Sequence, residues 1–135
     1  MRNGGYMAIL AAVMAMSAGC GGKTRLSTSP TLPAAESTVK YKTTKNDNTH
    51  IALSVKHLAQ PEKLTPPASH YVVWMRATKD EAAQNIGALK VDKNLNGDLD
   101  TEVPLHSFEL FVTAEASGQV QQPSEKQLLW TNYSR

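Results

Sequence analysis

The chain has 135 residues, a formal net charge of +2 and a single cysteine. A chain of this length holds one domain, and its near-balanced charge argues against the basic face that nucleic-acid binding requires. One cysteine cannot form an internal disulfide, so the domain is not stabilised by one.

Residues 1–19 are predicted to be a cleaved signal peptide. They combine a short n-region carrying Arg2 with an apolar stretch of 11 residues from Tyr6 to Met16. An apolar region of about 7–15 residues is typical of such leaders. The stretch is too short for a permanent membrane-spanning helix, which needs roughly 20 apolar residues.

The only cysteine, Cys20, ends this leader in the sequence SAGC, which resembles a bacterial lipobox. In that motif diacylglycerol alkylates the cysteine thiol, and the cysteine becomes the first residue of the mature chain. Two or more acyl chains hold a protein stably in a membrane. We therefore predict a lipid-anchored cell-envelope protein, with the outer membrane slightly favoured because Gly21 replaces the Asp that often marks inner-membrane retention. The alternative is an ordinary signal peptide that leaves Cys20 as a free thiol.

Residues 20–38 are predicted to be the lipidated cysteine followed by a flexible tether. The segment is rich in Gly, Ser, Thr and Pro and shows no apolar period. Such a composition cannot bury enough surface to offset the entropy lost on ordering. Lys23 and Arg25 are interpreted as solvated linker residues, with contact to anionic lipid headgroups as the alternative. The tether would hold the folded domain away from the membrane.

From Val39 onward, apolar and polar residues alternate with a period of two, as they do in half-buried strands. Polar or Pro-containing breaks separate six segments of strand composition. These segments are residues 39–43, 50–55, 71–77, 88–92, 107–115 and 128–134. The segment 71–77, YVVWMRA, is almost continuously apolar, which predicts a central strand covered on both faces.

Six or seven short strands without a long helical period predict an all-β fold for residues 39–135. The architecture we expect is a single Ig-like antiparallel β-sandwich, preceded by the signal peptide and a disordered tether. The residues predicted for its core are Trp74, Phe108, Leu110 and Val112.

The segment DKNLNGDLDTEV, residues 92–103, has the spacing of a calcium-binding loop. Oxygen-bearing side chains recur at every second position and could converge on one Ca²⁺. The candidate ligands are Asp92, Asn94, Asn96, Asp98 and Asp100. However, Val103 occupies the twelfth position, where a calcium loop has a bidentate Glu, and the preceding residues indicate a strand. We therefore favour a β-hairpin with Asn96–Gly97 at its tip and keep a calcium-responsive envelope protein as the alternative.

The sequence contains no recognisable catalytic motif. It has no G-x-S-x-G elbow and no phosphate-binding Gly-rich loop, and its single cysteine is assigned to lipid. The histidines lack the spacing of zinc ligands and are interpreted as surface residues near strand ends. They are His50, His57, His70 and His106. We therefore predict that the protein is not an enzyme and needs no cofactor.

Residues 48–130 resemble the C-terminal extracytoplasmic domain of anti-sigma-K factors. In that family a Leu-Pro loop is followed by a YVVW-type strand, a second strand of the lGtl.vd type and a VTaE…P hairpin. The matching segments are Tyr71–Trp74, Ile86–Asp92 and Val112–Glu115 with Pro123. The resemblance implies a sandwich that works outside the cytoplasm. It includes neither the cytoplasmic helices that bind the sigma factor nor a membrane span, so sigma-factor binding is not carried over.

These features together predict a binding or adaptor module held in the cell envelope by its lipid. Its expected partners are the membrane, through the N-terminal lipid, and another envelope protein, through a sheet face or an open edge strand. A regulatory relative of the anti-sigma domains is an alternative. A hydrolase would need a catalytic constellation assembled only by folding.

Overall fold

The computed structural model describes residues 23–135, so the predicted signal peptide and Cys20 lie outside the described residues. Ten strands and one short 3-10 turn, Pro61–Lys63, form in this range. The strands are β1 (Lys23–Arg25), β2 (Ser27–Thr28), β3 (Glu36–Thr43), β4 (Thr49–Lys56), β5 (His70–Arg76), β6 (Gln84–Ala88), β7 (Lys90–Val91), β8 (Gly97–Val103), β9 (Ser107–Glu115) and β10 (Leu129–Ser134). No helix within residues 23–135 is long and apolar enough to cross a membrane.

The strands form two sheets of five strands each, and the pairings are antiparallel. Sheet A has the order β1-β3-β4-β8-β7, and sheet B has the order β2-β10-β9-β5-β6. The prediction of an all-β antiparallel sandwich is confirmed. The strand count exceeds the predicted six or seven. β1 and β2 have three and two residues, too few to show a period, and β8 lies in the segment that was interpreted as a calcium loop or a hairpin.

Alternate residues of the long strands build the core between the sheets. In β4, the side chains of Ile51, Leu53 and Val55 are at most 2% exposed, as their period of two predicts. Three predicted core residues of β9 lie in the same cluster, and they are Phe108, Leu110 and Val112. The core residues of β4 and β9 therefore lie at the alternate positions that strand periodicity predicts.

Trp74 is fully buried, as predicted, but on the opposite side of sheet B. Within β5, Tyr71 and Val73 belong to the core between the sheets, whereas Val72 and Trp74 form a second cluster with Phe111 on the outer face. The apolar run of β5 is thus covered on both faces, as predicted. The strand is also interior in the sheet, because it pairs with β9 on one side and with the edge strand β6 on the other.

The segment 23–38, predicted to be a flexible tether, is part of the sandwich. β1 pairs with β3 in sheet A and β2 pairs with β10 in sheet B, so residues 23–28 join the edges of both sheets. Leu26 and Leu32 are buried in the core at 6% and 2% exposure. The tether prediction is wrong for these residues, because two buried leucines and a paired backbone stabilise a segment whose average composition is polar.

The edge strand β6 contains a position where glycine is required. Gly87 has a φ of +136°, and the register between β5 and β6 shifts between Val73 and Trp74. A Cβ atom on Gly87 would lie 2.9 Å from Cδ1 of Leu99. The positive φ and the lack of room for a Cβ atom therefore both favour glycine at this position. The register shift also interrupts the regular backbone hydrogen bonding between β5 and β6.

Candidate functional site

The predicted calcium loop forms the β7–β8 hairpin. Its turn centres on Lys93 and Asn94 and is closed by a 3.0 Å hydrogen bond from the N–H of Leu95 to the carbonyl of Asp92. The dipeptide predicted for the tip lies later, because Gly97 is already the first residue of β8. The hairpin is thus present with its turn displaced toward the N-terminus.

The three carboxylates among the five candidate calcium ligands do not form a group that could hold a metal. Oδ1 of Asp92 accepts hydrogen bonds from the N–H groups of Asn94 and Asn96, at 2.9 and 3.0 Å, and so stabilises the turn. Asp98 and Asp100 lie beyond the turn on β8 and are exposed. Among residues 23–135, no group of three or more His, Cys, Asp or Glu side chains is placed to hold a metal.

The four histidines lie at separate places near strand ends. His50 on β4 contacts Asp100 on β8. His106 lies 2.6 Å from the backbone carbonyl of the β3–β4 turn residue Asp47. The other two, His57 and His70, are exposed.

Arg135 and His106 surround Asp47 at the β3–β4 turn. Nη1 of Arg135 donates to Oδ1 of Asp47 at 2.8 Å, and His106 lies 3.5 Å from the other carboxylate oxygen. The hydrogen bond from Arg135 lowers the pKa of Asp47, and the charges of Arg135 and His106 act in the same direction. Exposed ion pairs contribute little to stability, so this cluster mainly orients the turn.

The outer face of sheet A, which we call the charged face, carries charges separated by sign. Its basic row consists of Lys23, Arg25, Lys40 and Lys42, from β1 and β3. Its acidic row consists of Asp98, Asp100 and Glu102, from β8. The intervening strand β4 presents His50, Ala52 and Ser54, and at one end Lys56, which is paired in register with Glu36 of β3. The two rows are therefore held apart by one strand of mostly small or neutral side chains.

The strand register fixes this separation. Lys40, Ala52 and Asp100 are direct neighbours across β3, β4 and β8. Adjacent strands lie about 4.8 Å apart, so the backbones of β3 and β8 are about 10 Å apart. None of the ion pairs found in residues 23–135 joins the two rows. In the acidic row, Asp100 contacts His50 and Glu102 accepts hydrogen bonds from Thr44 and Asn48.

A groove of about 640 Å³ follows the charged face. Basic side chains of β1 and β3 line one side, Asp98 and Asp100 line the other, and Ala52 and Ser54 lie between them. Glu36 of β3 and Lys56 of β4 complete the lining at one end, where they are direct neighbours across the two strands. Away from that end, the basic side of the groove favours negative groups of a bound molecule and the acidic side favours positive ones.

The outer face of sheet B, which we call the covered face, is closed by a loop. Val120, from loop 116–128, packs on the cluster around Trp74. Nδ2 of Asn85 donates to the backbone carbonyls of Gly118 and Val120, at 3.0 and 2.9 Å. The apolar residues of this face are therefore shielded by the chain itself.

A series of hydrogen bonds fastens that loop. Nε1 of Trp74 donates to Oγ1 of Thr113 at 2.8 Å, and the Thr113 hydroxyl donates to Oε2 of Glu115. The same oxygen of Glu115 accepts from the N–H of Ser124 at 2.8 Å. A satisfied polar network of this kind fixes one arrangement of the surrounding residues. Sequence reasoning missed it because its members lie far apart along the chain.

Two tyrosines between the sheets have raised pKa values. The Tyr71 hydroxyl donates to the carbonyl of Ala59 at 2.6 Å, and burial raises the pKa of Tyr71 to about 12, with a smaller effect of Glu62. Burial raises the pKa of Tyr41 further, and its ring stacks on Tyr133 at 3.9 Å. Both tyrosines pack with the core. Their raised pKa values therefore reflect packing between the sheets and are no sign of a functional site.

Sequence reasoning also missed the charged face. Asp98, Asp100 and Glu102 lie at every second position, which is the period of a strand, but the segment was examined as a metal loop. The basic row could not be recognised because it requires the pairing of residues 23–25, assigned to the tether, with β3.

Comparisons with known proteins add no support to the resemblance to anti-sigma domains, which therefore depends on the short motifs alone. No protein-family model, no curated protein and no solved structure matches the chain.

Proposed function

We propose that the protein is a lipid-anchored binding module of the cell envelope that contacts another envelope protein through the charged face. The difference between the two outer faces carries this proposal. Loop 116–128 packs over the covered face, whereas the groove of the charged face is open. Complementary charges at an interface favour the correct partner and accelerate encounter.

The lipid anchor is the second part of the proposal. Its support is the leader pattern of residues 1–19, followed by Cys20 in a lipobox-like sequence. A thioether-linked diacylglycerol would keep the domain at the membrane without a spanning helix.

Binding accounts for the charged face better than catalysis does. His50 and Asp100 form a His–carboxylate pair, but a catalytic triad also needs a nucleophile hydrogen-bonded to the same imidazole. Among the described residues, no hydroxyl makes that hydrogen bond, and Ser54 lies four residues from His50 along β4. We therefore propose no catalytic role for this pair.

A photo-crosslinking amino acid at Ala52, in the middle of the groove, tests the binding role in cells that make the full-length protein. The matched control places it at Gln121, an exposed position in the loop over the covered face. We expect a discrete crosslinked product from Ala52 only, which disappears when the acidic row is changed by Asp98→Lys and Asp100→Lys. The same products from both positions, or a product unaffected by the charge changes, would contradict the proposal.

A further inference from the structure

The position of β1 relative to Cys20 limits how far the domain can stand from a membrane. Only Gly21 and Gly22 separate Cys20 from Lys23. Three residue steps span at most about 11 Å, whatever their conformation. If Cys20 carries the lipid, β1 begins close to the headgroups, at a distance comparable with the Debye length of about 8 Å at physiological ionic strength.

The basic row lies at this end of the sheet. Lys23 is directly opposite Lys40 across β1 and β3, and Lys42 follows on the same face. Like charges placed directly opposite in a sheet are destabilising. None of the ion pairs found in residues 23–135 involves a member of the basic row. The structure therefore concentrates four cations that have no carboxylate partner in the described part of the domain.

We propose that the β1 edge of the domain rests on the membrane and that Lys23, Arg25, Lys40 and Lys42 bind anionic phospholipid headgroups. This inference rests on the proposed lipid anchor at Cys20, which brings the basic row to the surface. Its electrostatic part depends only on the folded domain. A cation near an anionic membrane surface strengthens binding about fivefold.

The acidic row sets the orientation of the docked domain. β8 lies three strands away from β1 in sheet A, which corresponds to about 14 Å. Headgroup charges repel Asp98, Asp100 and Glu102 while they attract the basic row. The domain therefore stands on its β1 edge, and the acidic row remains free for the protein partner.

Vesicle binding by residues 20–135 with Cys20→Ser tests the electrostatic part without the lipid. The two sheets and the core clusters described above lie within residues 23–135, so this chain retains all of them. We expect it to sediment with vesicles of equal phosphatidylcholine and phosphatidylglycerol, and not with phosphatidylcholine alone. Added salt should weaken the binding.

Two double variants with the same net charge separate local docking from general attraction. Lys40→Gln with Lys42→Gln removes half of the basic row and should lower the partition coefficient about 25-fold, given a fivefold effect per cation. Lys90→Gln with Lys93→Gln removes two exposed lysines at the opposite edge and should have a much smaller effect. Equal losses in both variants, or equal binding to neutral and anionic vesicles, would overturn the inference.

Two further measurements distinguish the remaining outcomes. The mass of the mature N-terminal peptide shows directly whether Cys20 carries acyl chains, so failure of the anchor is separable from failure of headgroup binding. Sedimentation equilibrium shows whether the basic row instead binds the acidic row of a second copy. A dimer that dissociates on Lys40→Gln with Lys42→Gln, without vesicle binding, would overturn the inference.

Discussion

The charged face and the covered face belong to sheets with the same number of strands and the same inward periodicity, but their outward residues differ. On sheet A the outward positions are mostly Lys, Asp and Glu, and they remain exposed. On sheet B they include Val72, Trp74 and Phe111, which need a cover. An antiparallel sheet with one polar face can meet water directly, whereas a sheet with two apolar faces cannot. The long connection after β9 thus covers an apolar face, whereas the charged face of sheet A remains open.

The largest expected effect is that of Trp74→Ala on the covered face. Removing a buried Trp side chain costs about 3–5 kcal/mol of unfolding free energy, and this change also frees the Thr113 hydroxyl. Lys40→Ala on the charged face should change the unfolding free energy by less than about 0.5 kcal/mol. Equilibrium urea unfolding followed by circular dichroism measures both. Similar losses in the two variants would remove the distinction between the faces.

Thr113→Val should have the next largest effect, because it leaves Trp74 Nε1 and the Glu115 carboxylate without their shared partner. Unsatisfied buried polar groups cost about 1–3 kcal/mol. The matched change Thr38→Val, on the charged face, removes a hydroxyl with no side-chain hydrogen bond among the described residues and should be nearly neutral. Thermal unfolding compares the two Tm values. A Tm that is unchanged by Thr113→Val would show that the network does not hold the loop.

High pH should destabilise the domain through the tyrosines between the sheets. The raised pKa of Tyr71, about 12 against 10.0 in the unfolded chain, means that folding favours the neutral phenol. Its contribution is complete below pH 10 and is lost as the pH rises toward 12. Tyr71→Phe should therefore flatten the decline of unfolding free energy over that interval.

The matched comparison for this pH effect is Lys40→Gln with Lys42→Gln on the charged face. These lysines are exposed and face away from the core, so the double variant should retain the decline between pH 10 and 12. Urea unfolding at a series of pH values measures both variants. A decline that persists in Tyr71→Phe and vanishes in the lysine variant would place the sensitivity on the charged face.

The smallest expected effect is that of calcium. Asp92 accepts two backbone hydrogen bonds and Asp100 contacts His50. The carboxylates of the candidate loop therefore have other partners and form no metal-binding group among residues 23–135. Millimolar Ca²⁺ should leave the Tm unchanged, as should Mg²⁺ or a chelator. A Tm that rises with Ca²⁺ alone would assign a metal site to the β7–β8 hairpin and change the interpretation of the charged face.

The fold could be predicted where one strand carries its own periodic signal. Ile51, Leu53 and Val55 alternate strictly, and their burial follows from the sequence alone. For Trp74 the sequence indicated burial but not the face, because an entirely apolar strand has no polar side to orient it. The cover over that face depends on hydrogen bonds between distant residues.

The candidate site was less predictable because it is produced by strand pairing. Lys40 and Asp100 are 60 positions apart in the sequence, and only β4 brings their strands into one surface. Lys23 appeared to belong to a linker, since three residues are too few to show a period. Charge separation across a sheet is a property of the strand order, which local patterns do not contain.

The edge strands of the two sheets bear on how the protein behaves at high concentration. β1, β2 and β7 have three, two and two residues, and β6 has five with an irregularity. Long regular edges expose unpaired backbone groups that recruit other chains into aggregates, and short edges with lysines suppress this. Lys23 and Lys90 lie on two of these edges. Neighbouring copies can therefore be packed densely without their sheets fusing.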